Sequence, residues 1–84
     1  MTHIEFIGAD WCGPSVAMRC TLDELVAQFP GVKVRCLEAE ELAVCPTAIP
    51  ILRLVVDGKR VREHVGNQPE STIREFFEAA NENS

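Results

Sequence analysis

The chain has 84 residues, 46% of them hydrophobic, and a formal net charge of −5 at pH 7. This length predicts one domain over residues 1–84, and the hydrophobic content argues against disorder. The acidic balance argues against a nucleic-acid partner, which normally requires a basic surface. No apolar run approaches the ~20 residues of a membrane span, and Met1–Ile7 does not resemble a signal peptide. We therefore expect no membrane partner and a cytoplasmic location.

The sequence of residues 3–37 predicts a strand, a helix and a second strand. Residues 3–8 read as the first strand, and residues 32–37, rich in β-branched side chains, as the second. The helix between them is indicated by apolar residues at helical spacing: Met18, Leu22, Leu25, Val26 and Phe29. Pro30-Gly31 ends it.

The second part predicts a short helix over residues 40–44, a hairpin and a final helix. Pro46 favours an extended Cys45, and Pro50 opens a strand over residues 51–56. Asp57-Gly58 is typical of a type I′ turn, so residues 59–65 form the returning strand. The final helix starts at Pro69 and carries a buried face, with a frayed tail over residues 81–84. The predicted buried residues are Ile73, Phe76, Phe77 and Ala80.

The resulting order is β-α-β-α-β-β-α. The first β-α-β unit is expected to be parallel with a right-handed crossover, and the last two strands antiparallel. The sequence thus predicts an α/β fold in which three helices flank a four-stranded mixed sheet.

The most informative stretch is Trp11-Cys12-Gly13-Pro14-Ser15. It resembles the Trp-Cys-Gly-Pro-Cys motif of thioredoxins, with Ser15 in place of the second cysteine. Two distant segments also resemble that family, Ala48-Ile49-Pro50 and Val65-Gly66. The resemblance covers about residues 3–80 and implies the minimal thioredoxin fold, which glutaredoxins share. The Trp-Cys-Gly-Pro sequence favours thioredoxin over glutaredoxin.

The resemblance implies a thiol-disulfide oxidoreductase in which Cys12 is the nucleophile. Cys12 is expected at a helix N-terminus, where free N–H groups stabilise a thiolate. Gly13 allows close backbone approach, Pro14 stiffens the turn, and Trp11 offers a flat apolar surface.

The other two segments are expected to bind substrate. The family's cis proline corresponds to Pro50, which exposes the backbone of Ile49 to an extended substrate segment. Val65 and Gly66 correspond to a third substrate-facing loop. Implied partners are protein disulfides and a thioredoxin reductase, and no bound cofactor is needed. We expect a monomer.

Ser15 changes the second half of the reaction. A hydroxyl cannot resolve a mixed disulfide, so turnover is expected to be impaired and mixed disulfides to accumulate until an external thiol acts. Ser15 is also expected to donate a hydrogen bond to Cys12. The residue is either an engineered Cys→Ser change or natural, and the otherwise intact site favours the first interpretation.

One further position departs from the family pattern. Thioredoxins commonly have a buried aspartate six residues before the nucleophile, and Phe6 stands there. Glu5 is adjacent but should point to the opposite sheet face. The usual carboxylate proton relay is therefore expected to be absent.

The remaining cysteines, Cys20, Cys36 and Cys45, are interpreted as small core residues. Cys45 is the strongest candidate for an additional role, because its loop leads to Pro50. A structural zinc site is disfavoured, since no two cysteines form a short-spaced pair.

Two alternatives to the disulfide-reductase interpretation stay open. One is a natural monothiol, glutaredoxin-like protein that uses glutathione. The other is a binding module without catalysis that uses the same surface only to dock a partner.

Overall fold

The computed structural model describes residues 1–42 and 48–82. Its strands are β1 (Thr2–Gly8), β2 (Lys33–Glu38), β3 (Ile51–Val56) and β4 (Lys59–Val65). Its α-helices are α1 (Gly13–Gln28) and α2 (Glu70–Glu82), and Ala39–Glu41 forms a 3-10 helix. No helix among these residues is long and apolar enough to cross a membrane.

The four strands form one mixed sheet in the order β2-β1-β3-β4. β1 is parallel to β2 and antiparallel to β3, and β3 is antiparallel to β4. Ile7 lies opposite Ile51, so β1 ends at the edge of the sheet where β3 begins. The predicted four-stranded mixed sheet, with a parallel first β-α-β unit and an antiparallel final hairpin, is confirmed.

The described residues contain two α-helices. The prediction of a third helix over residues 40–44 is wrong for residues 40–42, the part of this segment that the structure describes. Leu42 N–H donates to Ala39 C=O at 3.3 Å, and Leu42 is already extended (φ −78°, ψ 145°). So short a segment gains too few hydrogen bonds to offset helix nucleation. Buried Ala39 and half-buried Leu42 instead pack this turn against Ile7. The predicted extended Cys45 lies outside the described residues.

The main core lies between the sheet and the two α-helices, which pack on the same face. It comprises Ile4, Phe6, Met18, Leu22, Leu25, Val32, Leu52, Leu54, Ile73, Phe76, Phe77 and Ala80. Val26 was predicted to join it but is 40% exposed. At 100° per residue, Val26 is about 80° from Met18 around the helix, whereas Leu22, Leu25 and Phe29 lie within about 40°.

The final helix is longer than predicted. α2 follows Pro69, and Asn81 and Glu82 are helical rather than frayed. Ala80 is 1% exposed, and its packing holds the last turn against the core. The four predicted buried residues of α2 are all buried.

The hairpin between β3 and β4 has the predicted backbone. Asp57 and Gly58 both have positive φ, at 52° and 81°, as a type I′ turn requires. Asp57 also accepts an ion-paired hydrogen bond from the Met1 amino group, which ties the turn to the start of β1.

Charged side chains cross the sheet face that lies away from α1 and α2. One side chain from each strand, with alternating sign, forms a row that runs Arg35, Glu5, Arg53, Glu63. Arg53 Nε donates to Glu63 Oε2 at 2.7 Å, and each arginine has an Nη1 3.8 Å from a Glu5 oxygen. Glu5 therefore points away from Phe6, as predicted.

Gly8 makes a close approach at the end of β1. A Cβ on this residue would lie 2.9 Å from both Cβ and Oγ of Ser15, and 3.0 Å from Phe6 Cε2. All three residues are buried, so neighbouring atoms have little room to yield.

Gly8→Ala should therefore destabilise the fold by about 1–3 kcal/mol, the usual cost of overpacking a core. Urea unfolding measures the change. Gly31→Ala is the matched control, because a Cβ at Gly31 meets no atom within 4 Å. Equal stability of the two variants would contradict the close approach.

Glu63 should make a pH-dependent contribution to stability. The Arg53 hydrogen bond, with Arg60 nearby, holds the pKa of the Glu63 carboxyl below its usual range. A lowered native-state pKa gives stability that is present above the unfolded pKa of about 4.3 and lost as pH falls through the native value.

Glu63→Gln should consequently reduce the free energy of unfolding at pH 7, by at most about 1 kcal/mol because the pair is partly solvated. The difference should shrink toward zero as the pH drops below the native pKa. Urea unfolding at pH 7 and pH 3 tests this, with exposed Glu75→Gln as the control. A pH-independent difference would disprove the electrostatic origin.

Candidate active site

Cys12 caps the amino end of α1. Its backbone is extended (φ −100°, ψ 112°), and its C=O accepts the first helical hydrogen bond from Val16 N–H at 3.1 Å. Pro14 lies in the first turn, where its missing N–H costs no hydrogen bond. The first turn has no acidic residue, and Cys12 is half-buried. Cys12 therefore lies at the helix end where the first N–H groups have no intrahelical partner.

Ser15 lies inside the protein, one helical turn after Cys12. It is 2% exposed and packs against Gly8. Its Oγ has no hydrogen-bond partner among the described residues, so the expected bond to Cys12 is not formed. The inward position against Gly8 is the reason, because it directs the side chain into the core.

The other predicted binding segments meet at the same end of the sheet. The Ile49–Pro50 peptide bond is cis, as predicted, and Pro50 is buried. Gly66 N–H donates to Pro50 C=O at 2.7 Å, and Gly66 has a φ of +96°. Val65 precedes it and is 51% exposed. Since Ile51 pairs with both Ile7 and Val65, these segments share the end of the sheet from which the Cys12 loop leaves β1.

Trp11 lies on the surface beside this end of the sheet. It is 71% exposed, so it is not a core residue. Its Nε1 donates to Glu40 Oε1 at 2.6 Å, which ties the indole to the 3-10 helix. The sequence interpretation missed Glu40, because nothing local to that acidic stretch indicates a partner 29 residues away.

Arg19 is a second residue that the sequence interpretation missed. Its guanidinium donates to Asp10 Oδ1 and Glu38 Oε1, both at 3.1 Å, and lies 5.7 Å from the ring centroid of Phe6. The hydrogen bond to Glu38 raises the pKa of Arg19, so it remains a cation. Arg19 thus joins the loop before Trp11 to the end of β2.

Phe6 is completely buried beneath this loop. An aromatic ring therefore occupies the position at which the family resemblance leads us to expect a buried aspartate. Glu5 lies on the other sheet face, bonded to His3, and does not replace it. A proton relay through the side chain of residue 6 is excluded by its chemistry.

Two of the other cysteines are not core residues. Cys20 and Cys36 are exposed free thiols, contrary to the prediction, and Cys45 lies outside the described residues. Cys20 lies on the outer side of α1, and Cys36 lies on β2, an edge strand that pairs with β1 on one side only among the described strands. Partial loss of hydration raises the pKa of Cys36, which favours its thiol form. Among residues 1–42 and 48–82, no group of three His, Cys, Asp or Glu side chains is placed to hold a metal.

Comparisons with known proteins agree on one family. The thioredoxin family model matches residues 2–79. A thioredoxin from Haemophilus influenzae is 32% identical over 75 residues, which cover 82% of this chain and 70% of that protein.

Solved structures show the same architecture. Fasciola hepatica thioredoxin superposes with a TM-score of 0.82 at 23% identity, over 94% of this chain and 80% of its own. A mutant thioredoxin from Halobacterium salinarum gives a TM-score of 0.81 at 27% identity, over 95% and 74% of the two chains. The family match, the sequence identity and the shared architecture together show that this chain belongs to the thioredoxin family.

Proposed function

We propose that the chain reacts with protein disulfides through Cys12 and holds the product as a mixed disulfide, because Ser15 cannot resolve it. One observation carries the proposal: an accessible cysteine caps α1 while the buried position one turn later holds a hydroxyl. Family membership supports thiol-disulfide oxidoreductase chemistry in general. The single-cysteine reaction is specific to this chain.

The first step needs only Cys12. Its thiolate attacks one sulfur of a substrate disulfide, a new S–S bond forms, and the other substrate sulfur leaves as a thiolate that takes a proton from water. The N–H groups of α1 stabilise the attacking thiolate. This half of the reaction requires neither a second cysteine nor a bound cofactor.

An apolar surface around Cys12 supports docking of the substrate. Trp11, Val16 and Val65 are 71%, 46% and 51% exposed. Beside them lies Ile49, which is half-buried and precedes cis Pro50. We propose, as the family resemblance implies, that an extended substrate segment pairs with its backbone. Such pairing uses main-chain groups, so many substrates could be accepted.

The surroundings of Ser15 support the view that this position suits a cysteine. A buried hydroxyl without a partner costs free energy, whereas a cysteine sulfur behaves as a small hydrophobic group. A cysteine at position 15 would lie three residues after Cys12, a spacing at which side chains on a helix are neighbours. Resolution of the mixed disulfide requires this proximity. With Ser15 in place, an external thiol must release the substrate.

The proposal extends to partners. A Ser15→Cys chain would be a substrate for thioredoxin reductase, while the chain with Ser15 would depend on small thiols. A monomer in the cytoplasm, with no resident cofactor, is consistent with this chemistry.

Insulin reduction with NADPH and a thioredoxin reductase tests the proposal. Ser15→Cys should exceed the parent chain by at least ~10²-fold, because it restores a nucleophile that acts in the second step. Ser15→Ala is the matched control and should stay as inactive as the parent. Mass spectrometry with a disulfide-bonded peptide should show a Cys12 adduct that persists in the parent and is absent from Cys12→Ser.

The outcomes distinguish the alternatives. Failure of Ser15→Cys to turn over, with no adduct in the parent, would refute the proposal and favour a binding module. Glutathione-dependent turnover by the parent chain would favour a natural monothiol protein instead.

Removing the unpaired hydroxyl should also stabilise the protein. Under reducing conditions Ser15→Cys and Ser15→Ala should each raise the free energy of unfolding by about 1–2 kcal/mol. Urea unfolding in excess reductant measures this, and Ser71→Ala at an exposed position provides the control. A loss of stability in both variants would mean that Ser15 Oγ has a stabilising partner.

A further inference from the structure

The outer edge of β2 is unpaired. β1 occupies one side of this strand, and no strand among residues 1–42 and 48–82 occupies the other. The register with β1 is continuous over all six residues, so the strand is regular along its length. A regular open edge presents N–H and C=O groups to which an extended segment can add.

Two cations project from this edge on the sheet face away from α1 and α2. Lys33 and Arg35 are two residues apart and share that face. Lys33 is exposed, and no carboxylate of the described residues forms an ion pair with it. Arg35 is 61% exposed, and among the described residues its ion pair is with Glu5, at 3.8 Å. The edge is thus locally positive in a chain of net charge −5.

Nearby carboxylates already have other partners. Glu5 is shared with His3 at 3.0 Å and with Arg53 at 3.8 Å. Asp57 pairs with the Met1 amino group. Lys33 and Arg35 therefore retain most of their capacity to bind further acidic groups.

A cavity lies beside the two cations. It has a volume of about 570 Å³, and its other lining residues are Met1, Thr2, His3, Asp57 and Gly58. These lie at the start of β1 and in the β3–β4 turn, so the cavity lies on the β1 side of β2 and not at its outer edge.

We propose that the outer edge of β2 docks an extended acidic segment of a partner protein. The segment adds a fifth strand to the sheet. Carboxylates at alternate positions pair with Lys33 and Arg35 across the new strand boundary. Main-chain hydrogen bonds supply affinity, and the spacing of two residues supplies specificity.

The positive charge of the β2 edge favours an acidic segment over a second copy of this chain. The regularity of β2 favours this edge over β4 at the other side of the sheet. A second copy of β2 would bring two further cations to the same face, and like charges across a strand pair are destabilising. The opposite edge strand, β4, has a register shift against β3 between Leu54 and Val55, which interrupts a regular edge.

Fluorescence anisotropy with a labelled seven-residue peptide of alternating Glu and Val tests the proposal on the full chain. The peptide contains no cysteine, so binding is independent of the proposed disulfide chemistry and should survive Cys12→Ser. Lys33→Glu/Arg35→Glu should weaken binding about tenfold or more. The matched control, Lys59→Glu/Arg60→Glu on β4, makes the same charge change on the opposite edge and should bind within about threefold of the parent.

Two peptides N-methylated at alternate residues separate strand addition from simple charge attraction without altering the protein. The peptide methylated at amides that face β2 should lose binding, and the other should retain it. Equal binding of both, equal weakening by the control variant, or no saturable binding would overturn the proposal. Competition by free glutamate as strong as by the peptide would also overturn it, in favour of a small-anion site.

Discussion

The antiparallel register between β1 and β3 is the constraint on which the rest of the molecule depends. Phe6 and Leu52 face each other in this pairing, and both are fully buried. A slip of one residue would turn both side chains out of the core, so the register is strongly determined. It places the end of β1 beside the start of β3, and Cys12 and cis Pro50 consequently leave the sheet at the same end.

The described interior beneath Cys12 is largely apolar. Phe6 is fully buried there, and Ser15 contributes a hydroxyl that no described residue engages. Polar contacts lie toward the surface, where Arg19 donates to Glu38 and Trp11 donates to Glu40 on the two sides of the Cys12 loop. In this arrangement the loop is positioned by charge and hydrogen bonding, while the buried side chain at position 6 is an aromatic ring that cannot transfer a proton.

Charged side chains cover the middle of the sheet face opposite α1 and α2. The row of alternating charges that includes Glu5 and Arg53 covers the middle of that face, where no α-helix of the described residues lies. Glu5 and Arg53 are only 17% and 18% exposed, so they shield the sheet while satisfying each other's charge. The positive charges of this face that keep most of their binding capacity are Lys33 and Arg35 on β2, and we propose that they bind an acidic segment.

The sequence by itself determined the strands, both α-helices, the Asp57-Gly58 turn and the position of Cys12, because short-range signals control each of them. Proline and glycine act through local backbone geometry, and helical periodicity reports a buried face within a few residues. Tertiary structure alone decided the exposure of Cys36 and the contacts of Arg19 and Glu40. Arg19 and Glu40 have partners 19 and 29 residues away in the chain. Cys36 is exposed on a strand that only the sheet order places at an edge.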